Sequence, residues 1–301
     1  MKKVKHVKIE KGMKVDDLVR EMNEAGVMGG GKIGKAVDIM EEMIKDSTVF
    51  LGVAGALVPG GMREIIIDML DHVDVFVCTG ATLTHDLIEA LGNNHYQGSE
   101  RADDKELNKK GIDRMFDSFM KNEVYQDLEK FFDENFDKLK NEENIKDFLW
   151  KLGSLVKEDS ILKKCYEKKI PIFCPGIADS GIGLMIWSKI VNNEDCKVKA
   201  FDDLKEIMDI AMVSKKNGVI YLCGGVPKNY IQQALQFGKE ASYGVQITMD
   251  RPEPGGSSGA ELREGISWGK MKEKGKFVDV ICDVTIALPL IFGSLKDRIK
   301  I

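Results

Sequence analysis

Thr48-Val-Phe-Leu-Gly-Val-Ala54, Met62-Arg-Glu-Ile-Ile-Ile-Asp-Met-Leu70 and Val73-Asp-Val-Phe-Val-Cys78 decide the fold. The first and third are short apolar runs rich in Val and Phe, the composition of strands buried on both faces. The second repeats its apolar residues at helical spacing, so the three together predict a βαβ unit with parallel strands. On the N-terminal side, Val15-Asp-Asp-Leu-Val-Arg-Glu-Met22 and Ile33-Gly-Lys-Ala-Val-Asp-Ile-Met-Glu-Glu-Met-Ile44 place apolar residues three and four apart. Residues 1–45 are therefore expected to form a helical N-terminal segment. On the other side, residues 99–157 are highly charged, almost free of glycine and anchored by Phe116, Phe119, Phe131, Phe132 and Phe136, which reads as an inserted helical layer. The alternation resumes with a strand at Ile170-Pro-Ile-Phe-Cys174, helices at Gly183-Leu-Met-Ile-Trp187 and over 201–214, and a strand at Gly218-Val-Ile-Tyr-Leu-Cys223. A helix over 229–237 follows, then strands at Tyr243-Gly-Val-Gln-Ile-Thr248 and Phe277-Val-Asp-Val-Ile-Cys282. The expected architecture is α/β: a Rossmann-like, doubly wound, mostly parallel sheet, with residues 1–301 as a single domain.

Composition narrows the function classes. A hydrophobic fraction of 43% and a charged fraction of 31% are those of a globular protein. The net charge of −5 supplies no basic field for a phosphate backbone, which argues against nucleic acid as a partner. Six cysteines with no C-x-x-C pair suggest neither a zinc site nor a disulfide framework, so no metal is expected. The longest apolar run, Val284-Thr-Ile-Ala-Leu-Pro-Leu-Ile-Phe292, is half a membrane span and reads as a buried strand-to-helix passage. Met1-Lys-Lys-Val-Lys-His-Val-Lys lacks the apolar core of a secretory signal, and a cytoplasmic location is expected.

Two groups of glycines carry different information. Gly29-Gly30-Gly31-Lys32-Ile33-Gly34-Lys35-Ala36 satisfies G-x-G-x-x-G and nearly matches a phosphate loop. Such loops follow a strand, whereas a helical pattern precedes this one, and Ala36 stands where a magnesium-holding hydroxyl is needed. It reads instead as a flexible helix-to-helix connection. More telling are four strands that each run into a small-residue turn: Gly52-Val-Ala-Gly-Ala56, Thr79-Gly80-Ala81, Pro175-Gly-Ile-Ala-Asp179-Ser-Gly181 and Gly224-Gly225. At the carboxyl ends of parallel strands, turns of this kind are expected to admit a cofactor to the backbone and the helix N-termini.

Near the C-terminus stands Pro254-Gly-Gly-Ser-Ser258-Gly-Ala-Glu-Leu-Arg-Glu264-Gly-Ile-Ser-Trp268-Gly-Lys270. An indole face attracts a cation and a carboxylate neutralises it, so Trp268 and Glu264 suit an amine ligand. Lys270 is a candidate imine-forming nucleophile. Ser267-Trp268-Gly269-Lys270, with Ser258-Gly259-Ala260 and Glu264 before it, closely resembles the S-W-G-K element of the deoxyhypusine synthase family. Gly224-Gly225-Val226-Pro227-Lys228 resembles the family's second glycine signature, Thr79-Gly80-Ala81 with Asp86 its T-x-G turn, and Asp283-Val-Thr285 its D-x-[ST] element. Asp179 aligns with a cofactor-binding aspartate, and the resemblance runs from about Lys14 to Phe292.

The resemblance implies NAD as cofactor and aminobutyl transfer from a polyamine such as spermidine through an imine on Lys270. Trp268 would lie along the aliphatic amine and Glu264 would receive a cationic nitrogen. Thr79, Gly80, Ala81, Asp179, Gly224, Gly225, Ser258, Asp283 and Thr285 would hold NAD. It also implies a homotetramer, with a translation-factor lysine or a small amine as acceptor. Four positions depart from the pattern: Asn229 where a histidine is expected, Leu184 and Ser257 where carboxylates are expected, and His85 where a glutamate is expected. These resemble the divergent branch of the family, in which Asn229 and His85 would join the catalytic set. The alternatives are a hydrolase of a guanidino amine on the same fold, and a non-catalytic NAD-binding paralogue.

Overall fold

The computed structural model describes residues 1–299. The chain opens with helices α1 (Val15–Ala25) and α2 (Met28–Asp46), followed by β1 (Thr48–Val53), α3 (Arg63–Met69), β2 (Val75–Cys78) and α4 (Gly80–Ala90). Next come β3 (Tyr96–Gln97), α5 (Asp104–Lys109), β4 (Ile112–Met115), β5 (Ser118–Lys121), α6 (Val124–Leu139), α7 (Ile145–Leu155) and α8 (Ile161–Lys168). The remainder is β6 (Ile172–Phe173), α9 (Gly181–Val191), α10 (Phe201–Val213), β7 (Asn217–Leu222), α11 (Gly225–Phe237), β8 (Ala241–Thr248), β9 (Met271–Ile281) and α12 (Val284–Arg298). Six strands form a sheet in the order β6-β2-β1-β7-β8-β9, and the β1–β7, β7–β8 and β8–β9 pairs are parallel, so the doubly wound α/β expectation holds. Among the described residues no helix is long and apolar enough to cross a membrane.

The chain divides into two compact units, one made of Met1–Ala54, Asp71–Val77 and the chain from Lys205 onward, the other of Gly55–Leu70 and Cys78–Leu204. In the first unit, Gly52 faces Ile231 of α11 and Gly218 faces Met43 of α2. Gly218 pairs in register with Val49, three positions from Gly52, and residues an odd number apart point to opposite faces of a strand. Thus α2 and α11 cover opposite faces of this sheet, with Val49, Phe50, Leu51, Val219, Ile220 and Leu222 buried between them. At the chain's far end, Arg298 of α12 donates to Asp16 of α1 at 2.6 Å and to Asp38 of α2 at 2.7 Å, and Ser294 also donates to Asp16. The segment from Val284 is helical throughout, with Pro289 inside it, where the sequence reading allowed a passage out of a strand.

The glycine run is corrected as well. Residues Gly29, Gly30, Gly31 and Gly34 lie inside α2, and the connection between helices is only Gly26-Val27. Two of them serve close packing: a Cβ on Gly31 would fall 2.6 Å from the Gly26 backbone, and one on Gly34 2.2 Å from Asn23 Cβ on α1. A repeat of small residues lets two helices approach backbone to backbone, and that reproduces the spacing of a nucleotide motif by coincidence.

In the second unit Asp86 is fully buried and accepts from Arg63 Nε at 2.9 Å and from the first amides of α8, Ile161 at 3.0 Å and Leu162 at 3.1 Å. One carboxylate thereby fastens α3, α4 and α8 together. The inserted stretch differs from the expected helical layer, because β4 and β5 pair within it and β3, just ahead of it, joins them in a small antiparallel sheet. Phe116 occupies the hairpin turn at φ 57° and Phe119 lies in β5, while Phe132 and Phe136 are buried on α6 as a helix requires. The strands escape notice because charged side chains fill their outward positions and only four residues pair on each side.

Candidate active site

In the first unit, β8 ends at Thr248 and a loop returns through a 3-10 turn, Leu262–Ile266, to the start of β9. Lys270 sits one residue before β9, its N–H donating to Gly265 at 2.8 Å and its carbonyl accepting from Ala241 at 3.0 Å. Gly269 reaches this junction at φ 69°, a conformation that a side chain would strain. Trp268 therefore projects from a tight turn whose two ends are pinned to the sheet. The residue is 57% exposed, and Lys270 Nζ stands 4.9 Å from the ring centroid.

Both side chains line a cleft of about 340 Å³ together with Glu264 and with Asn229 of α11. That volume is within the range of small-ligand sites. The structure thus brings Asn229, Glu264, Trp268 and Lys270 to one place. Gln232, Gln233 and Gln236 continue the α11 wall below Asn229 at helical spacing. The sequence reading did not single them out, although their offsets of three, four and seven from Asn229 were visible.

Lys228 was also passed over as a group with its own chemistry. It is buried, and its Nζ donates to Ala260 O at 2.6 Å, tying α11 to the glycine-rich loop before the Lys270 turn. Burial lowers its pKa from 10.5 to about 8; Asp279 and Glu264 oppose that fall and Lys270 adds to it. Between pH 8 and 10.5 the unfolded chain holds a proton on this amine that the folded chain has released. Stability therefore rises with pH across that window, by about 3 kcal/mol at ~1.4 kcal/mol per unit. Urea midpoints measured from pH 8 to 10.5 will show this rise, and Lys228→Met will flatten it.

The remaining first-unit residues lie at the heads of α11 and α12. Gly224 is the N-cap of α11 and offers no side chain to its amides, while the next amide, Gly225, donates to Ser258 Oγ at 2.6 Å. Asp283 caps α12 through Oδ1, which accepts from Thr285 N at 2.7 Å and Thr285 Oγ1 at 2.9 Å. Burial raises the Cys223 thiol to about 11, so it is unreactive at neutral pH.

In the second unit, Thr79 caps α4 by accepting from Thr82 N, and Gly80 and Ala81 are its first helical residues. The head of α9 lies against this turn: Ile182 N donates to Thr84 Oγ1 at 3.2 Å, and Gly80 abuts Ser180 and the carbonyl of Asp179. Two of the four expected cofactor turns are therefore side by side, with Asp179 exposed between them. His85, read from sequence as a lone histidine beside Asp86, has a different neighbour: its Nδ1 is 2.9 Å from His95 Nε2. Leu184, on the outer face of α9, is 55% exposed. Among the described residues no group of three or more His, Cys, Asp or Glu side chains is arranged to hold a metal ion.

The doubly wound sheet thus carries a lysine, an indole and a carboxylate in one cleft, groups suited to a cationic amine. The family profile described as deoxyhypusine synthase matches residues 17–295, and the chain belongs to that family, whose members are aminobutyl transferases. "Probable deoxyhypusine synthase 1" of Methanosarcina acetivorans is 44% identical over 99% of this chain and 95% of its own length. A protein of the same name from Archaeoglobus fulgidus is 38% identical over 96% of both chains. An Entamoeba histolytica crystal structure, provisionally named as a deoxyhypusine synthase, shares the fold with a TM-score of 0.63 at 20% identity, covering 94% of this chain and 93% of its own.

Proposed function

We propose that this chain is an NAD-dependent aminobutyl transferase that draws on a polyamine and carries the transferred group as an imine on Lys270. The observation that supports this most is the placement of Lys270 Nζ 4.9 Å from the Trp268 ring in a cleft that Glu264 and Asn229 also line. Trp268 holds the aliphatic chain and its positive charge against the indole face. Glu264 receives a terminal ammonium. Asn229 positions a nitrogen through its amide, which donates and accepts hydrogen bonds but does not transfer protons. The Lys270 amine adds to the C=N carbon of the oxidised donor and expels the amine fragment, and the acceptor amine repeats that exchange to release Lys270. The acceptor is either a translation-factor lysine or a small amine.

The chain's own residues fit NAD. The N-cap of α11, Gly224, brings no side chain to the helix head, where only Ser258 Oγ accepts from the first amide, and the heads of α4 and α9 stand together beside Asp179. Thr79, Gly80, Ala81, Asp179, Gly224, Gly225, Ser258, Asp283 and Thr285 would hold it. NAD would supply reversible hydride acceptance for the donor's oxidation and the product's reduction. The same reading treats residues 1–301 as one family domain that works as a homotetramer in the cytoplasm.

The test is to incubate pure protein with NAD and a panel of amines, trap with borohydride and map adducts by mass spectrometry. An adduct on Lys270, with the mass of the donor fragment, is the expected result. Turnover without any trapped adduct on this lysine would sink the covalent scheme.

A further inference from the structure

Part of the Lys270 cleft has no role in the scheme above. Gln233 and Gln236 follow Asn229 by four and seven residues, so the three share one face of α11 over about 10 Å at ~1.5 Å of rise per residue. The side-chain amides of Gln233 and Gln236 make no hydrogen bond to another described residue. The glycine-rich loop brings Ser257 to the same cleft, and its Oγ is buried without a hydrogen-bond partner among the described residues. A buried hydroxyl left unpaired has lost its hydration with nothing in return, so a group bound in the cleft is its natural partner.

Charge is placed elsewhere in the cleft. Its carboxylates, Glu264 and Glu261, belong to the 3-10 turn and the residue before it, whereas α11 and Ser257 contribute none. Two carboxylates against the one ammonium of Lys270 leave a surplus of a single negative charge. Lys228 and Asp279 act on one another as opposite charges and add none. One cationic end of a ligand is therefore matched. A second would lie against amides and a hydroxyl, all of them neutral.

We propose that Gln233, Gln236 and Ser257 form a subsite for an uncharged, hydrogen-bonding end of the donor, so that the preferred donor is a polyamine acylated at one terminus. This inference rests on the amine-binding part of the proposed function, with Glu264 receiving the charged end. An ammonium only donates hydrogen bonds, so it leaves the Ser257 hydroxyl hydrogen and the glutamine NH2 groups without an acceptor. An acylamino group does both: its C=O accepts from Ser257 and from one glutamine NH2, and its N–H donates to a glutamine carbonyl. The departure at position 257 has the same sense. A carboxylate there would only accept, as an ammonium requires, and the hydroxyl makes the opposite demand.

The test is calorimetric titration of the full chain, in the presence of NADH so that no donor is oxidised, with spermidine and with its two terminally monoacetylated forms. Cofactor reduction by the same three amines is then followed with NAD. At least one acetylated form is expected to bind about tenfold more tightly than spermidine, the worth of one or two neutral hydrogen bonds. Ser257→Ala is expected to weaken that form about fivefold and to leave spermidine within about twofold. Gln236→Glu, a change at an exposed position, is expected to bring spermidine level with it. Spermidine binding as tightly as both acetylated forms, no binding of any of the three, or an unchanged preference in both variants overturns the subsite. Cofactor reduction without the binding preference sinks the subsite and leaves the transferase reading intact, whereas the preference without cofactor reduction by any amine does the reverse.

Discussion

Lys270→Arg is expected to reduce aminobutyl transfer by three or more orders of magnitude while NAD affinity stays within about twofold of wild type. A guanidinium keeps the positive charge and the length needed to lie over Trp268, so the electrostatics of the cleft survive. It does not release a nucleophilic amine in the accessible pH range, so the C=N exchange has no carrier. A thousandfold loss corresponds to about 4 kcal/mol of transition-state stabilisation. Equilibrium titration of NAD, followed by a transfer assay with borohydride trapping, measures both quantities. Transfer at the wild-type rate in this variant would show that the group moves without passing through Lys270.

The largest stability effect is expected at Asp86, far from any proposed chemistry. Asp86→Ala removes from the Arg63 guanidinium, 12% exposed, its one fully buried carboxylate, leaving the more exposed Glu64 and Glu89, and strips the acceptor from two amides at the head of α8. Breaking a buried pair by removing one partner costs about 3–5 kcal/mol because the remaining charge stays desolvated. Urea unfolding will show a lower midpoint at unchanged slope. A loss below about 1 kcal/mol would mean that water enters and replaces the carboxylate. The sequence resemblance places Asp86 with the Thr79 turn, yet its contacts are those of a structural joint.

The parallel sheet was legible because buried strands such as Val49–Val53 and Val219–Leu222 are continuous apolar runs and the helices between them repeat at a different period. The cleft was legible because Glu264, Trp268 and Lys270 lie within seven residues, where one turn suffices to gather them. Less legible was anything set by distant pairing. The β4–β5 hairpin has outward charges that imitate a solvated helix, and Gly34 of α2 owes its identity to Asn23 on another helix. His95 lies ten residues from His85, beyond α4, and a histidine in a loop gives no sign of its partner. Lys228 was quoted as part of a motif, but its burial, and hence its lowered pKa, depends on the loop that folds over it.

The Arg298 clamp has a consequence for synthesis. Arg298 joins the last helix to α1 and α2, and the first unit draws its segments from both ends of the chain. The second unit is encoded almost entirely before Lys205, so it can acquire its structure while the ribosome is still translating β7 to β9. The early helices must wait with their apolar faces uncovered until the final turn of polypeptide emerges. A stop codon a few residues upstream of Arg298 would therefore weaken the beginning of the protein as much as its end.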